Sequence, residues 1–305
     1  MGKFINPFTD FGFHRIFGQE VHKELLIDFL NQLFFGEHDI EDITFLNPIQ
    51  TPETLDDRGI VFDVHCKDSN GNLFVVEMQT GAQPYFHDRG LYYLARAISN
   101  QGQKGKDWKF ALQPVYGVFL LNYKMDVNSK FRTDVILADR ETGSMFSDRI
   151  RQVYLELPYF QKEPDECEND FERWIYVLKH MDTLDRMPFK ARKAIFERLE
   201  RIGSMANLTP KQRAQYEAEW KMYNDYYNTL DFAVEKGMKK GMEKGMEKGL
   251  QEGLQKGLQK GKAEGKAEGR QEEKHSIALN LKKLGVSIEQ IAFATGLSIE
   301  EIEKL

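Results

Sequence analysis

Asp63, Glu77 and Gln79 are the residues of this chain whose types and spacing could do chemistry. Glu77 and Gln79 stand two apart in the apolar run Leu73 to Gln79, so on a strand they share a face. Asp63 lies in a second such run, Ile60 to Cys66, and Asp68-Ser69-Asn70-Gly71-Asn72 between them is a turn signal. The pair predicts an antiparallel hairpin. A loop with an odd number of residues, bulged at Gly71, sets Asp63 opposite Glu77 with Cβ atoms ~5 Å apart. A two-residue Asn-Gly turn instead pairs Asp63 with Met78 and sends the carboxylates to opposite faces. Chemistry requires the first register. Two carboxylates that close repel, and one takes up a proton unless a cation lies between them. Mg²⁺ suits such a place, since it takes one or two carboxylates and fills its shell with water and phosphate oxygens. It can acidify a water and neutralise charge growing on a phosphodiester. The plainer alternative is two carboxylates facing solvent on a half-buried hairpin.

The elements that must position these residues are legible around them. Lys23 to Phe35 carries Leu26, Phe29, Leu30 and Leu33 at helical spacing. Pro84 to Asn100 fits a helix with proline near its first turn. Val115 to Asn122 reads as a buried central strand. Phe131 to Ala138 and Arg151 to Leu157 read as two more strands, joined across Glu141-Thr142-Gly143. Helix, hairpin, helix and strand in this order predict an α/β sheet with helices packed against it. On the helix after the hairpin, Arg89, Tyr92 or Tyr93, and Arg96 fall on one face. Arg89 is near enough to the hairpin to reach a phosphate bidentately, and Tyr92 could stack on a base or sugar. An ordinary solvated helix face is the alternative. Lys104, Lys106 and Lys109 follow in a glycine-containing loop. For Asp10, just before an apolar-periodic stretch, helix capping with Thr9 and a part in the chemistry are equal readings.

Other chemistries find little support. The seven histidines include no HExxH, and neither a phosphate-binding P-loop nor a GxSxG elbow occurs. His65 shares the strand face of Asp63, whereas Cys66 points to the other face. Two cysteines make neither a disulfide framework nor a four-cysteine zinc site, which suits a reducing cytoplasm. No apolar run reaches membrane-spanning length, and Met1 to Asp10 lacks the layout of a signal peptide. With 42 basic and 48 acidic residues in 305, the chain is no polycationic coat, although a local basic groove is compatible.

Four segments differ in character: 1–160, mixed α/β; 161–234, a helical extension almost free of glycine; 235–274, a charged repeat; and 275–305, a short helical element. In the repeat a glycine stands at every fourth position from Gly237 to Gly269. Met238, Met242, Met246, Leu250, Leu254 and Leu258 follow the first six. A four-residue period advances ~40° per repeat beyond one helical turn. Such a stripe favours right-handed, coiled-coil-like winding of partners, and spaced glycines allow close approach. Each helical glycine costs ~1 kcal/mol relative to alanine. The repeat is therefore either a self-associating helix, making the chain a homo-oligomer, or a flexible tether. The last segment has a turn at Thr295-Gly296-Leu297-Ser298 and resembles part of a helix-turn-helix. Its second helix carries Glu300, Glu301 and Glu303, which phosphates would repel, so it reads as a packing or dimerisation element.

Asn6-Pro7-Phe8-Thr9-Asp10-Phe11-Gly12-Phe13-His14-Arg15-Ile16-Phe17-Gly18, followed by Phe62-Asp63-Val64 and Val76-Glu77-Met78-Gln79, resembles the recombination-promoting nuclease / putative transposase family. That family belongs to the PD-(D/E)XK nuclease superfamily, and the resemblance runs over nearly the whole chain. It implies a restriction-endonuclease-like mixed sheet flanked by helices, then a helical region and the glycine-repeat helix or tether. It also implies a Mg²⁺-dependent (or Mn²⁺-dependent) endonuclease acting on double-stranded DNA, linked to recombination or mobile elements. On this resemblance Asp63 and Glu77 are the metal ligands, joined by Asp10 as the family's N-terminal aspartate. Gln79 takes the place of the motif lysine. Glutamine is usual in this family; it orients a water but carries no positive charge, so modest rates follow. His14 departs from the lysine more common among relatives. The alternative is a nuclease-fold assembly module with little catalysis, self-associating through its repeat.

Overall fold

The computed structural model describes residues 2–50, 60–103, 109–125, 130–190 and 193–305. These fall into two compact units, 1–226 and 227–305. The first is built on a six-stranded mixed sheet of order β1-β4-β5-β6-β8-β7. Its strands are β1 (Ile43–Phe45), β4 (Val64–Asp68), β5 (Leu73–Gln79), β6 (Val115–Leu121), β7 (Arg132–Ala138) and β8 (Met145–Glu156). A separate two-stranded ribbon joins β2 (Ile49–Gln50) to β3 (Ile60–Val61).

All seven residues of β6 are buried, and it runs parallel to both neighbours, β5 and β8. A strand covered on both faces must be apolar throughout, which is the pattern its sequence shows. Alternation along β5 then sorts two cores. Phe74, Val76 and Met78 face α1 (Asp10–Phe17), α2 (Lys23–Leu33), α4 (Asp170–His180) and α5 (Ala194–Gly203), where Phe17, Phe29, Trp174 and Phe196 interlock. Val75 faces α3 (Phe86–Ser99) together with Phe62, Leu94 and Ala97. Glu77 and Gln79 belong to this second face by the same alternation.

The helix α6 (Pro210–Lys283) opens on a reciprocal cap. The Thr209 N–H donates to Gln212 Oε1, the Gln212 N–H donates to Thr209 Oγ1, and Pro210 needs no partner for its nitrogen. In the second unit α6 carries the whole glycine repeat as helix. Nothing lies within 4 Å of a Cβ built on any glycine from Gly237 to Gly269. The Met238 to Leu258 stripe is between 59% and 77% exposed. Beyond it, α7 (Ile288–Thr295) and α8 (Ile299–Glu303) turn at Gly296, in left-handed conformation, and pack Ile291, Leu297 and Ile302 around Ala278.

Candidate active site

The β4–β5 loop sets the geometry. Lys67 pairs with Leu73, the Asp68 N–H donates to Asn72 O, and Gly71 takes φ +87°. Only glycine enters that conformation cheaply, and the result is a three-residue loop with a bulged turn. Asp68 fixes it further by accepting from the Asn72 N–H and from its side-chain amide, both at 2.8 Å. Val64 thereby pairs with Val76, the register in which Asp63 falls opposite Glu77.

Asp63 does not lie on a continuous strand, as the run Ile60 to Cys66 suggested. The chain bends at Phe62–Asp63, where buried Phe62 is held edge-on by Tyr93 at 5.4 Å. The ladder ends there and side chains take it over. The Asp63 N–H donates to Glu77 Oε1 (3.2 Å), and the Met78 N–H donates to Asp63 Oδ2 (3.0 Å). These crossed bonds hold the two carboxyl groups beside each other.

Their environments differ. Glu77 is 2% exposed. Burial pushes it up to about 8, and the charge of Asp63 adds to the rise against the Asp63 N–H and Arg89. Asp63 opens onto a cleft and keeps access to water, yet it too is raised, by the protein around it and by Asp10, against the Met78 N–H and Arg89. Without a cation, burial and neighbouring negative charge therefore raise both carboxyls, Glu77 further than Asp63.

The cleft has a volume of about 490 Å³ and brings together Asp10, Asp63, Gln79 and Arg89. A smaller recess of about 220 Å³ adjoins it across Asp10 and Asp63, with Phe13 and His14 in its wall. Arg89 donates to Gln83 Oε1 and lies over the Phe86 ring at 4.9 Å. The shared face expected on α3 divides. Tyr93 turns inward onto Phe62, and Tyr92, 43% exposed, lies outside the cleft lining. Lys104 and Lys106 lie outside the described residues.

Asp10 is not the helix cap. The Gly12 N–H donates to Thr9 Oγ1 (3.0 Å), so Thr9 caps α1 and Asp10 becomes its first residue, exposed at the cleft. Gly12 is required by space: a Cβ there would stand 2.0 Å from the Asn6 carbonyl oxygen. Gly12→Ala is expected to cost ~1–3 kcal/mol of stability, read from urea denaturation, because backbone must move to admit the methyl group.

Sequence reasoning missed the opposite wall. It comes from the start of α6, through Glu219, Met222, Tyr223 and Tyr226. The Phe11 N–H donates to Glu219 Oε2 (2.6 Å), and the Asn6 N–H donates to Tyr216 Oη (2.8 Å). Asn122 Nδ2 donates to Tyr223 Oη (3.2 Å), while the Asn122 N–H holds Gln79 O (2.9 Å). The available signal was the aromatic stripe Tyr216, Trp220, Tyr223, Tyr227, spaced as one helix face.

A divalent cation suits these donors. The cleft offers carboxylate and amide oxygens but no imidazole or thiolate, a set for Mg²⁺ or Mn²⁺ rather than zinc. Among the described residues no three His, Cys, Asp or Glu side chains form a ready cage. An ion that keeps its waters and shares substrate phosphates needs none.

The family model described as PD-(D/E)XK nuclease family transposase matches residues 7–233. The chain belongs to this family. No curated protein and no solved structure matches the chain significantly. The mixed sheet, its flanking helices and the long helix after them agree with a restriction-endonuclease-like fold. Membership among PD-(D/E)XK nuclease family transposases suggests a hydrolase acting on phosphodiester bonds, with DNA as the partner. The match begins just before Asp10 and ends beyond Tyr226, so it takes in both walls of the cleft. No helix among the described residues is long and apolar enough to cross a membrane.

Proposed function

We propose that this protein is a Mg²⁺-dependent endonuclease that hydrolyses phosphodiester bonds of double-stranded DNA, serving recombination or the mobility of DNA elements in the cytoplasm. The observation that carries this reading is the crossed Asp63–Glu77 pair: Asp63 lines a cleft together with Arg89, and Glu77 is buried against it. Asp63 and Glu77, with Asp10 beside them, would hold the ion. When bound, a divalent ion acidifies a coordinated water and offsets charge on the phosphate. Gln79 orients the water through its amide, accepting or donating a hydrogen bond without contributing charge. Arg89 grips a phosphate oxygen pair. In the reaction the water oxygen bonds to phosphorus, one P–O ester bond breaks, and the leaving oxygen departs as an alcohol with a proton. Purified protein is expected to nick supercoiled plasmid in Mg²⁺ or Mn²⁺ and to stop in EDTA. Nicking that persists in EDTA, or none in either ion by folded protein, sinks the reading.

The second reading, self-association through the repeat, is favoured by the exposed Met and Leu stripe beside glycines with open space. A lone helix with nine glycines is marginal, and a partner along the stripe restores its stability. The full chain is expected to run as an oligomer in light scattering. A triple change Met238→Gln, Met242→Gln and Met246→Gln should shift it toward monomer. A wild-type monomer at micromolar concentration leaves the repeat as a tether.

A further inference from the structure

Large apolar side chains stand exposed in the wall facing the carboxylates. Met222 is 64% exposed and Tyr226 43%, and both line the cleft of Asp10, Asp63, Gln79 and Arg89. The Tyr226 hydroxyl lies close to Gly81, where a Cβ would stand 1.9 Å from it. On the same loop, two residues beyond Gln83 of the cleft, Tyr85 is 81% exposed and adopts φ +60°. That conformation is costly for tyrosine, so the fold imposes it. Single exposed aromatics are ordinary. Here Met222 and Tyr226 share one cleft with Asp10, Asp63 and Arg89.

An intact duplex offers sugar, phosphate and base edges to such a cleft but no base face, because its bases stay stacked inside the helix. Among the described residues Arg89 is the one cationic side chain lining the cleft, and Glu219 stands in the same lining, so the dense phosphate charge of paired DNA is poorly answered there. An unpaired strand carries less charge per length and can offer a base to a ring. The volume of about 490 Å³ falls in the range of pockets that enclose small ligands.

We propose that the cleft accepts an unpaired nucleotide. The base next to the scissile phosphate lies against Tyr226 and Met222, while its phosphate meets Arg89 on the side of the cleft where Asp63 stands. The preferred substrate class is then DNA with an unpaired stretch, such as a gap, flap or mismatch bubble. This rests on the nuclease reading and moves its preferred substrate from intact duplex to DNA with unpaired nucleotides.

The test uses the full chain in Mg²⁺ and one oligonucleotide sequence in three forms: fully paired, with a central bubble, and single-stranded. Cutting in the unpaired forms is expected to be roughly tenfold or more faster in kcat/KM, from stacking of one base. Tyr226→Leu should shrink that ratio and Tyr226→Trp should keep it, with thermal melts confirming that both fold. Equal rates on all three forms, or a ratio that Tyr226→Leu leaves intact, would overturn the proposal while sparing the nuclease reading. If no form is cut, the nuclease reading fails, and 2-aminopurine in the bubble still decides nucleotide binding. Quenching that Tyr226→Leu abolishes supports the cleft assignment; no quenching overturns it.

Discussion

Asp63→Asn and Glu77→Gln are each expected to lower Mg²⁺-dependent plasmid nicking by on the order of 10³-fold. Both amides are close in shape to the acids they replace, and both retain a carbonyl for the existing bonds. Asn at 63 can still accept from the Met78 N–H, and Gln at 77 from the Asp63 N–H. The hairpin should therefore keep its register, and what disappears is negative charge. Loss of cutting together with loss of Mn²⁺ binding in calorimetry, in protein that melts cooperatively, would locate the chemistry at this pair. Nicking that survives both substitutions would place it elsewhere and end the assignment of these two residues.

The same Glu77→Gln change is expected to stabilise the metal-free protein, and more so as pH rises. The sign follows from the direction of the shift. Glu77 is raised from 4.5 to about 8 in the folded chain, so the native state holds a proton that the unfolded chain has released. Stability from this group is complete below pH ~4.5 and is lost as pH climbs through the folded value. Glutamine does not titrate. The melting temperatures of wild type and variant in EDTA should nearly coincide at pH 4 to 5. By pH 8.5 the variant should lead by roughly 5–10 °C. Added Mg²⁺ should narrow the gap by stabilising wild type alone. A gap that is constant with pH would mean that Glu77 is not raised in the folded state. A residue that weakens the fold yet is needed for activity is the usual signature of a working site.

The parts of this site that were readable in the sequence are those set by local rules. Turn residues around Gly71, two-residue alternation through Val75 and Glu77, and the apolar run of β6 fix the hairpin and its central neighbour. What was not readable depends on contacts between distant segments. Thr9 and Asp10 are both good capping residues, and only the three-dimensional path of Asn6 shows that Thr9 takes the cap. The bend at Asp63 comes from Phe62 turning into the α3 core, which strand propensity cannot express. The α6 wall lies more than 200 residues from the α1 groups it binds, as in the Phe11–Glu219 bond. Helical periodicity shows that such a helix has an aromatic face but not what the face covers. Tyr92 and Tyr93 illustrate the same limit at short range, since adjacent residues on α3 took opposite directions.

The hydrogen bonds from Asn6 to Tyr216 and from Phe11 to Glu219 bear on how the gene can be dissected. A fragment that stops where the sheet ends, near residue 160, contains every acid of the proposed chemistry yet leaves the α1 end of the cleft without its strut. The shortest piece worth expressing, or grafting onto another DNA-targeting protein, therefore runs through Tyr226. The proposed cassette is defined as much by the helix that supplies one wall of its cleft as by its motif.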